Sequence, residues 1–309
     1  MIIPISMFSE GIETISIGKG VKHVGIGSFQ GLENVETIVI PNGVERIGKS
    51  CFASCFNLKT VTLPSSLKKI GEGAFMQTGL KEIEIPSGVK VIDLYCFSYC
   101  GSLVKVSLPK TLERIEKYAF RGCSMLEPFQ FPKGLEYIGE RAFDGCRKIT
   151  DVYIPAGVKE IGGVLYDTRI ITSIYVDSRN SRYESPEGSN VLIDKTSGTL
   201  VMGCSNSVIP QGVKEIGYAA FDGCSRLQNI VIPESVERIG DLAFRYCDTY
   251  ITIPSSVKEI GPSAFLRTDP SKVTNNSGLE IDYGQRSEQR SFIPSEEVER
   301  IRQQLQRAQ

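Results

Sequence analysis

The stretch GVKEIGYAAFDGCSRLQNIVIP, residues 212–233, decides how the rest of the chain is read. Its apolar positions are Val213, Ile216, Ala220, Phe221, Cys224, Leu227, Ile230 and Ile232. That spacing follows neither the 3.6-residue period of a helix nor the two-residue alternation of one long strand. A single copy therefore has no self-contained fold, and its sense comes from repetition. The closing proline, or a residue standing in for it, recurs at Gly18, Pro41, Pro64, Pro86, Pro109, Pro132, Pro155, Asp177, Pro210, Pro233 and Pro254. Most intervals are 22 or 23 residues, a period that signals a solenoid.

The same frame carries an aromatic residue at Phe29, Phe52, Phe75, Phe97, Phe120, Phe143, Phe221, Phe244 and Phe265, with Leu165 in the unit that lacks it. A glycine precedes it at Gly25, Gly48, Gly71, Gly139, Gly162, Gly217, Gly240 and Gly261, where Asp93 and Glu116 are the exceptions. The segment before the proline alternates, with Ile230 and Ile232 inward and Val231 outward, which predicts a short strand. Proline suits its end, where no ladder donor is needed. GVKEIG predicts a second extended edge, and AFDGC a turn or short helical piece that carries Phe221 into the core. Neighbouring turns must cover each unit's open faces, because one unit cannot bury them alone. Parallel strands sit about 4.8 Å apart, so the stack predicts a rod roughly 50 Å long.

The copies GVERIGKSCFASCFNLKTVTLP (43–64) and GLEYIGERAFDGCRKITDVYIP (134–155) show all of these features. Over residues 11–268 the pattern resembles the BspA-type leucine-rich repeat. The resemblance implies a β-rich α/β repeat solenoid, right-handed and curved, with short parallel strands lining one face. It also implies a cell-surface or secreted antigen or adhesin that binds host or extracellular-matrix proteins or other cells. It brings no catalytic residue and no cofactor. The residues agree: the chain holds no HExxH, GxSxG or P-loop, and no cysteine within reach of its one histidine. His23 takes an outward slot that other units fill with Arg46, Lys69 or Arg114, and reads as a surface residue.

With 35 basic and 36 acidic side chains, the net charge of -1 favours neither nucleic acid nor an anionic membrane as partner. No apolar run reaches membrane-spanning length, so no membrane insertion is expected. The stretch MIIPISMFSEG lacks the basic start and apolar run of a signal peptide, whereas the family resemblance points outside the cell. Two readings stay open: a signal removed ahead of residue 1, or a member that remains inside.

Six of the nine cysteines, Cys55, Cys100, Cys123, Cys146, Cys224 and Cys247, share one slot. Cys51 and Cys96 take the slot before phenylalanine, and Cys204 lies in an insertion. They read as small buried thiols, and their odd number argues against a complete disulfide framework. The pairs Cys51/Cys55 and Cys96/Cys100 suggest zinc, but two repeats separate them by about 10 Å, too far for one tetrahedral site. Asp177, Glu184, Glu187 and Asp194 suggest calcium, yet the glycine-centred ligand loop is missing. No metal site is expected.

The frame breaks between Pro155 and Pro210. VLID and TLVMG flank Lys195-Thr196-Ser197-Gly198, which predicts a β-hairpin. The expected organisation is a solenoid over 1–268 with a hairpin insertion over 178–209. A polar tail over 269–309 follows, with a short helix near 295–308, as a cap or a linker. The tail carries a sequon at Asn275-Asn276-Ser277, which matters only in a secreted protein.

Parallel strands side by side form a shallow surface suited to a protein partner. Its outward residues are mostly small and polar, except for Tyr153 and Tyr175 beside the insertion that carries Tyr183. Tyrosine is enriched at binding hot spots. The expected partner-binding residues are therefore Tyr153, Tyr175, Tyr183, Gln130, Asp151 and Ser173. The competing reading is ordinary cross-strand packing of β-favouring tyrosines. An alternative function is a structural spacer or self-associating rod. The apolar Met1, Ile2, Ile3 and Met7, where a polar cap is normal, prompt it, although an artificial truncation would expose them equally.

Overall fold

A strand this short earns its place by its one inward side chain. In Thr60–Thr62 only Val61 points into the core, and the same exposed–buried–exposed order marks Thr14–Ser16, Glu82–Glu84 and Lys105–Ser107. The structure is a computed structural model that describes residues 13–163, 165, 169–224, 227 and 230–284. The expectations for the first apolar turn and for the helix near 295–308 lie outside the described residues.

Successive turns pair in parallel through equivalent slots. Thr14 lies opposite Thr37, Thr37 opposite Thr60, and Asp151 opposite Ser173. The GVKEIG-type segments form a second, more continuous edge: seven two-residue strands, from His23–Val24 to Glu160–Ile161, make one parallel sheet. The result is a β-solenoid whose AFDGC segments run as turns. Left-handed residues bracket most of the rings: Ser50 (φ 51°) and Ser54 (φ 60°) around Phe52, Tyr95 (φ 55°) and Tyr99 (φ 59°) around Phe97. These two reversals fold the segment into a tight corner that drives the phenylalanine inward. Among the described residues the helical content is one three-residue 3-10 turn, Pro270–Lys272.

The rings stack along the axis, all fully buried except Phe29 at the first position, which is half-buried. Phe29, Phe52, Phe75, Phe97, Phe120 and Phe143 follow one another at centroid spacings of 5.6, 5.2, 5.5, 5.3 and 5.4 Å. A second ladder joins Phe221, Phe244 and Phe265 at 5.3 Å each. Leu165 holds the slot between the two ladders and is fully buried. The glycine slot reflects how closely the turns approach. A Cβ on Gly48 would lie 2.6 Å from the carbonyl carbon of Gly25, one turn earlier.

All nine cysteines are buried and none is in a disulfide. Burial pushes the Cys51 thiol up to about 12 and the Cys55 and Cys100 thiols up to about 11, so they stay protonated. Charged side chains instead pair across turns on the outside. Lys68–Glu45, Lys159–Glu136 and Lys258–Glu237 lie at 3.0, 2.6 and 3.0 Å with well-exposed side chains. Solvent screens such exposed pairs, so they add little to stability.

The strand-lined face is less continuous than the edge sheet, for reasons visible in the residues. Thr78-Gly79-Leu80 replaces the longer Cys55-Phe56-Asn57-Leu58, and Glu82–Glu84 forms no ladder with Thr60–Thr62. Pro128 takes the first strand position of its turn and offers no N–H. Residues 128–131 accordingly form no strand. Phe129 and Phe131 pack instead against the Phe143 ring, at 5.6 and 5.5 Å.

The insertion forms the expected hairpin, Leu192–Asp194 antiparallel to Thr199–Met202. It does not stand off the surface. Val191, Leu192, Leu200 and Met202 are fully buried, and Thr199–Met202 continues the edge sheet by pairing in parallel with Glu215–Ile216. The stack also runs past residue 268. Val273–Asn275 pairs with Ile251–Ile253, Tyr283 approaches the Phe265 ring at 6.4 Å, and Leu279 and Ile281 pack on the same core. Residues 269–284 thus close the solenoid, where a polar tail was expected.

Candidate functional site

The face begins with two paired strands, Asp151–Ile154 and Ser173–Val176. Val152, Ile154 and Ile174 are buried, which sends the alternate residues outward. Register then sets Asp151 opposite Ser173 and Tyr153 opposite Tyr175. The tyrosines are 46% and 56% exposed, an aromatic pair held open on a rigid ladder. Gln130 takes the same slot one turn earlier and is exposed, but Pro128 leaves its segment outside the sheet.

Hydrogen bonds hold the pair in place from one side. The Tyr153 hydroxyl donates to Asp177 Oδ2 at 2.8 Å. Asp177 in turn accepts from Arg179 Nη2 at 2.7 Å, Arg179 Nε at 2.9 Å and the Arg179 backbone N–H at 3.0 Å. The Arg179 hydrogen bonds keep the Asp177 carboxyl well below the usual carboxylate range. The bond to Asp177 raises the Tyr153 phenol, which therefore stays a donor. On the other side, Asp151 accepts from the Thr150 hydroxyl at 3.1 Å. The Thr172 hydroxyl lies 3.4 Å from its other oxygen. Asp177, read in the sequence as the stand-in for a proline, is therefore the residue that orients Tyr153.

Tyr183 is a correction. It is 2% exposed, and its hydroxyl accepts the Ile161 backbone N–H at 2.8 Å. Burial is the main cause of its raised phenol. It sits inside the stack because the insertion folds into the solenoid, so it is unavailable to a partner. Asp194, one of the four carboxylates weighed for calcium, is also buried and pairs with Arg182 at 2.9 Å. Among the described residues no cluster of three or more histidine, cysteine or acidic residues could hold a metal ion.

Two aromatic features escaped the sequence reading. Tyr250 is 63% exposed and precedes Ile251–Ile253, in the slot of Asp151 and Ser173 on the strand-lined face. Its unit is two residues shorter between Cys247 and Pro254 than between Cys224 and Pro233, which hid the slot. At the turn corners, Tyr95 and Tyr118 stack at 5.1 Å, and Arg121 covers Tyr118 at 5.1 Å and Tyr99 at 5.7 Å. Those ring faces are occupied by one another and by the guanidinium, whereas Tyr153 and Tyr175 form an in-register aromatic pair left open on the strand-lined face.

Solved structures share the architecture. A pneumococcal vaccine antigen, PcpA, matches with a TM-score of 0.60 at 20% identity, over 88% of this chain and 74% of its own. A leucine-rich cell surface protein from Faecalibacterium prausnitzii matches with a TM-score of 0.55 at 24% identity, over 90% and 93%. A leucine-rich repeat protein from Eubacterium ventriosum matches with a TM-score of 0.53 at 25% identity, over 74% of this chain. This chain spans 56% of that protein's length. No curated protein matches. The profile of the BspA type leucine rich repeat region matches residues 2–127, 90–185 and 201–286, in six copies. Those matches take in most of the sequence and coincide with the stacked turns, and the chain belongs to the BspA-type leucine-rich repeat family.

Proposed function

We propose that this chain is a non-enzymatic protein-interaction module that receives a protein partner on its strand-lined face, centred on Tyr153 and Tyr175. The observation that carries this reading is the in-register, half-exposed tyrosine pair, anchored by Asp177 and flanked by Asp151 and Ser173. Rigid aromatic side chains with a hydroxyl offer large contact area at little entropic cost. Leucine-rich repeats of this class are generally interaction modules, and a cell-surface setting accords with two structural neighbours, a leucine-rich cell surface protein and a pneumococcal vaccine antigen.

The test is binding of the immobilised chain to extracellular-matrix and host cell-surface proteins, compared with two double variants. Tyr153→Ala with Tyr175→Ala should weaken the interaction at least about 30-fold, the hot-spot scale of about 2 kcal/mol. Charge reversal at Lys68 and Lys90, each just before a strand of the edge sheet, should leave it unchanged. Loss in the lysine variant with retention in the tyrosine variant moves the binding surface to the charged edge and ends this reading.

A further inference from the structure

Inside a solenoid, one turn's backbone satisfies the next. The Glu136 carbonyl accepts the backbone N–H groups of Lys159 at 2.8 Å and Glu160 at 3.1 Å, and the Ile138 carbonyl accepts that of Gly162 at 2.9 Å. One turn later this pattern stops. The Lys159 carbonyl accepts from Arg182 Nη1 at 2.9 Å, and the Val158 carbonyl from Asn180 Nδ2 at 3.0 Å. The Ile161 N–H donates to the Tyr183 hydroxyl at 2.8 Å. The strand-lined face ends the same way: Ser205 Oγ donates to the Ile171 carbonyl at 3.1 Å and Ser185 Oγ to the Ile174 carbonyl at 2.8 Å. Side chains of the insertion thus do at both edges what a following strand would do. This is how a solenoid end is closed.

Backbone pairing resumes beyond the seam. Thr199 lies opposite Glu215 and Leu200 opposite Ile216, with the Leu200 carbonyl accepting the Gly217 N–H at 2.9 Å. The apolar core divides across the insertion: Tyr183, Leu192, Met202 and Cys204 pack with the first cluster and Val191, Ile193 and Leu200 with the second. Among the described residues beyond the insertion, only Ala219, with Leu242 against it, still joins the first. The ring ladder that reaches Phe143 restarts at Phe221.

We infer that residues 178–209 are an internal cap, which closes a first stack of turns and starts a second, so that the two lose structure separately. In a solenoid each turn is stabilised by its own packing and by the interfaces to its neighbours, and cooperativity breaks where an interface is weakest. Here, among the described residues, that interface is carried mainly by the polar side chains of Asn180, Arg182, Tyr183, Ser185, Ser205 and Asn206 in place of backbone ladders. One backbone bond joins them, from the Ser205 N–H to the Ile171 carbonyl at 3.4 Å. The second stack is closed at its far end by residues 269–284, where the Arg267 N–H donates to the Tyr283 carbonyl at 2.9 Å. Each stack therefore has its own closing element.

Hydrogen exchange of the full chain in rising guanidinium, read segment by segment by mass spectrometry, tests this. Amides of 37–176 and of 215–275 should lose protection at two distinct midpoints. In a variant carrying Asn180→Ala and Tyr183→Phe, the midpoint of 37–176 should fall while that of 215–275 stays put. A single midpoint shared by both segments in the unaltered chain overturns the inference, whatever the variant does. So does a variant that moves both midpoints equally, or only the second, because the insertion would then couple the turns instead of separating them.

Discussion

The thiol of Cys100 donates to the carbonyl oxygen of Phe75, one turn earlier, at 3.0 Å. The same link joins Cys123 to Phe97 at 3.1 Å, Cys146 to Phe120 at 3.2 Å and Cys247 to Phe221 at 3.0 Å. Thr268 stands in this slot and makes it with its hydroxyl, to Phe244 at 2.7 Å. The slot therefore favours a small buried donor, which in these turns bonds the turn before and at Thr78 bonds Phe75 of its own turn at 3.0 Å. That is more than a preference for a small apolar residue.

Two substitutions separate donor from bulk. Cys123→Thr keeps a donor, whereas Cys123→Val supplies nearly the same shape without one. Chemical denaturation should find the valine variant less stable than the threonine variant by about 1 kcal/mol, the net worth of one hydrogen bond. Equal stabilities would reduce the slot to packing alone.

Alkaline pH should act through the same thiols. Their folded values, about 12 for Cys51 and about 11 for Cys55 and Cys100, stand above the ordinary 9.0 because burial disfavours the thiolate. Between those values the unfolded chain releases protons that the folded chain retains. Stability from these groups is thus complete below pH 9.0 and declines as pH rises toward 11 and 12. Melting temperature recorded across this window should fall, and less steeply once Cys51, Cys55 and Cys100 are replaced by threonine. An unchanged slope would place the alkaline loss on other groups.

The close approach of turns gives a further contrast. Gly48→Ala would push a methyl group against the Gly25 backbone, which cannot swing aside as a side chain does. Gly18, by contrast, has nothing within 4 Å of where its Cβ would lie. Gly48→Ala should lower stability by about 1–3 kcal/mol, the scale of overpacking, and Gly18→Ala by less than about 0.5 kcal/mol. Denaturant midpoints for the two variants decide it.

Core and surface differ on the same scale. Phe143 is fully buried between Phe120, Phe129 and Phe131, so Phe143→Ala should cost about 3–5 kcal/mol. His23 lies on the exposed side of its strand, and His23→Ala should stay within about 0.5 kcal/mol. Equal losses on unfolding would mean that the repeat frame is misassigned.

The turns were legible because the chain serves as its own alignment. Phe143 and Val61 are core residues for the same reason as Phe221 and Ile230, and one reading settles all four. The exceptions were harder. Pro128 announces the missing strand only once its position in the turn is known, since a proline costs nothing at the strand's end. Tyr250 keeps its slot four residues before Pro254, but its unit is two residues shorter after Cys247, so counting forward from the phenylalanine misses it. Tyr183 is beyond any pattern, because its place depends on the Ile161 N–H, 22 residues away and outside the hairpin. Asp177 is similar: a charged residue in a proline slot becomes informative only when Tyr153 is seen to reach it.

That anchor separates the two tyrosines of the face. The Tyr153 hydroxyl is committed to Asp177, while Tyr175 has an exposed ring and no hydrogen bond among the described residues. If both rings touch the partner, Tyr175→Phe removes a donor that the partner can use directly. It should weaken binding by about 0.5–1.5 kcal/mol, the net worth of one hydrogen bond, without moving the melting temperature. Tyr153→Phe removes an internal tether instead, so its loss should be reproduced by Asp177→Asn with Arg179→Ala and should not add to it. Acid supplies an independent check. Arg179 holds Asp177 ionised well below the ordinary 3.8, so lowering pH toward that value should leave the tether and the affinity it supports in place. Calorimetric titration with a partner identified by the binding test would read all three effects. Full additivity of Tyr153→Phe with the Asp177 variant would show that the tether plays no part in presenting the ring.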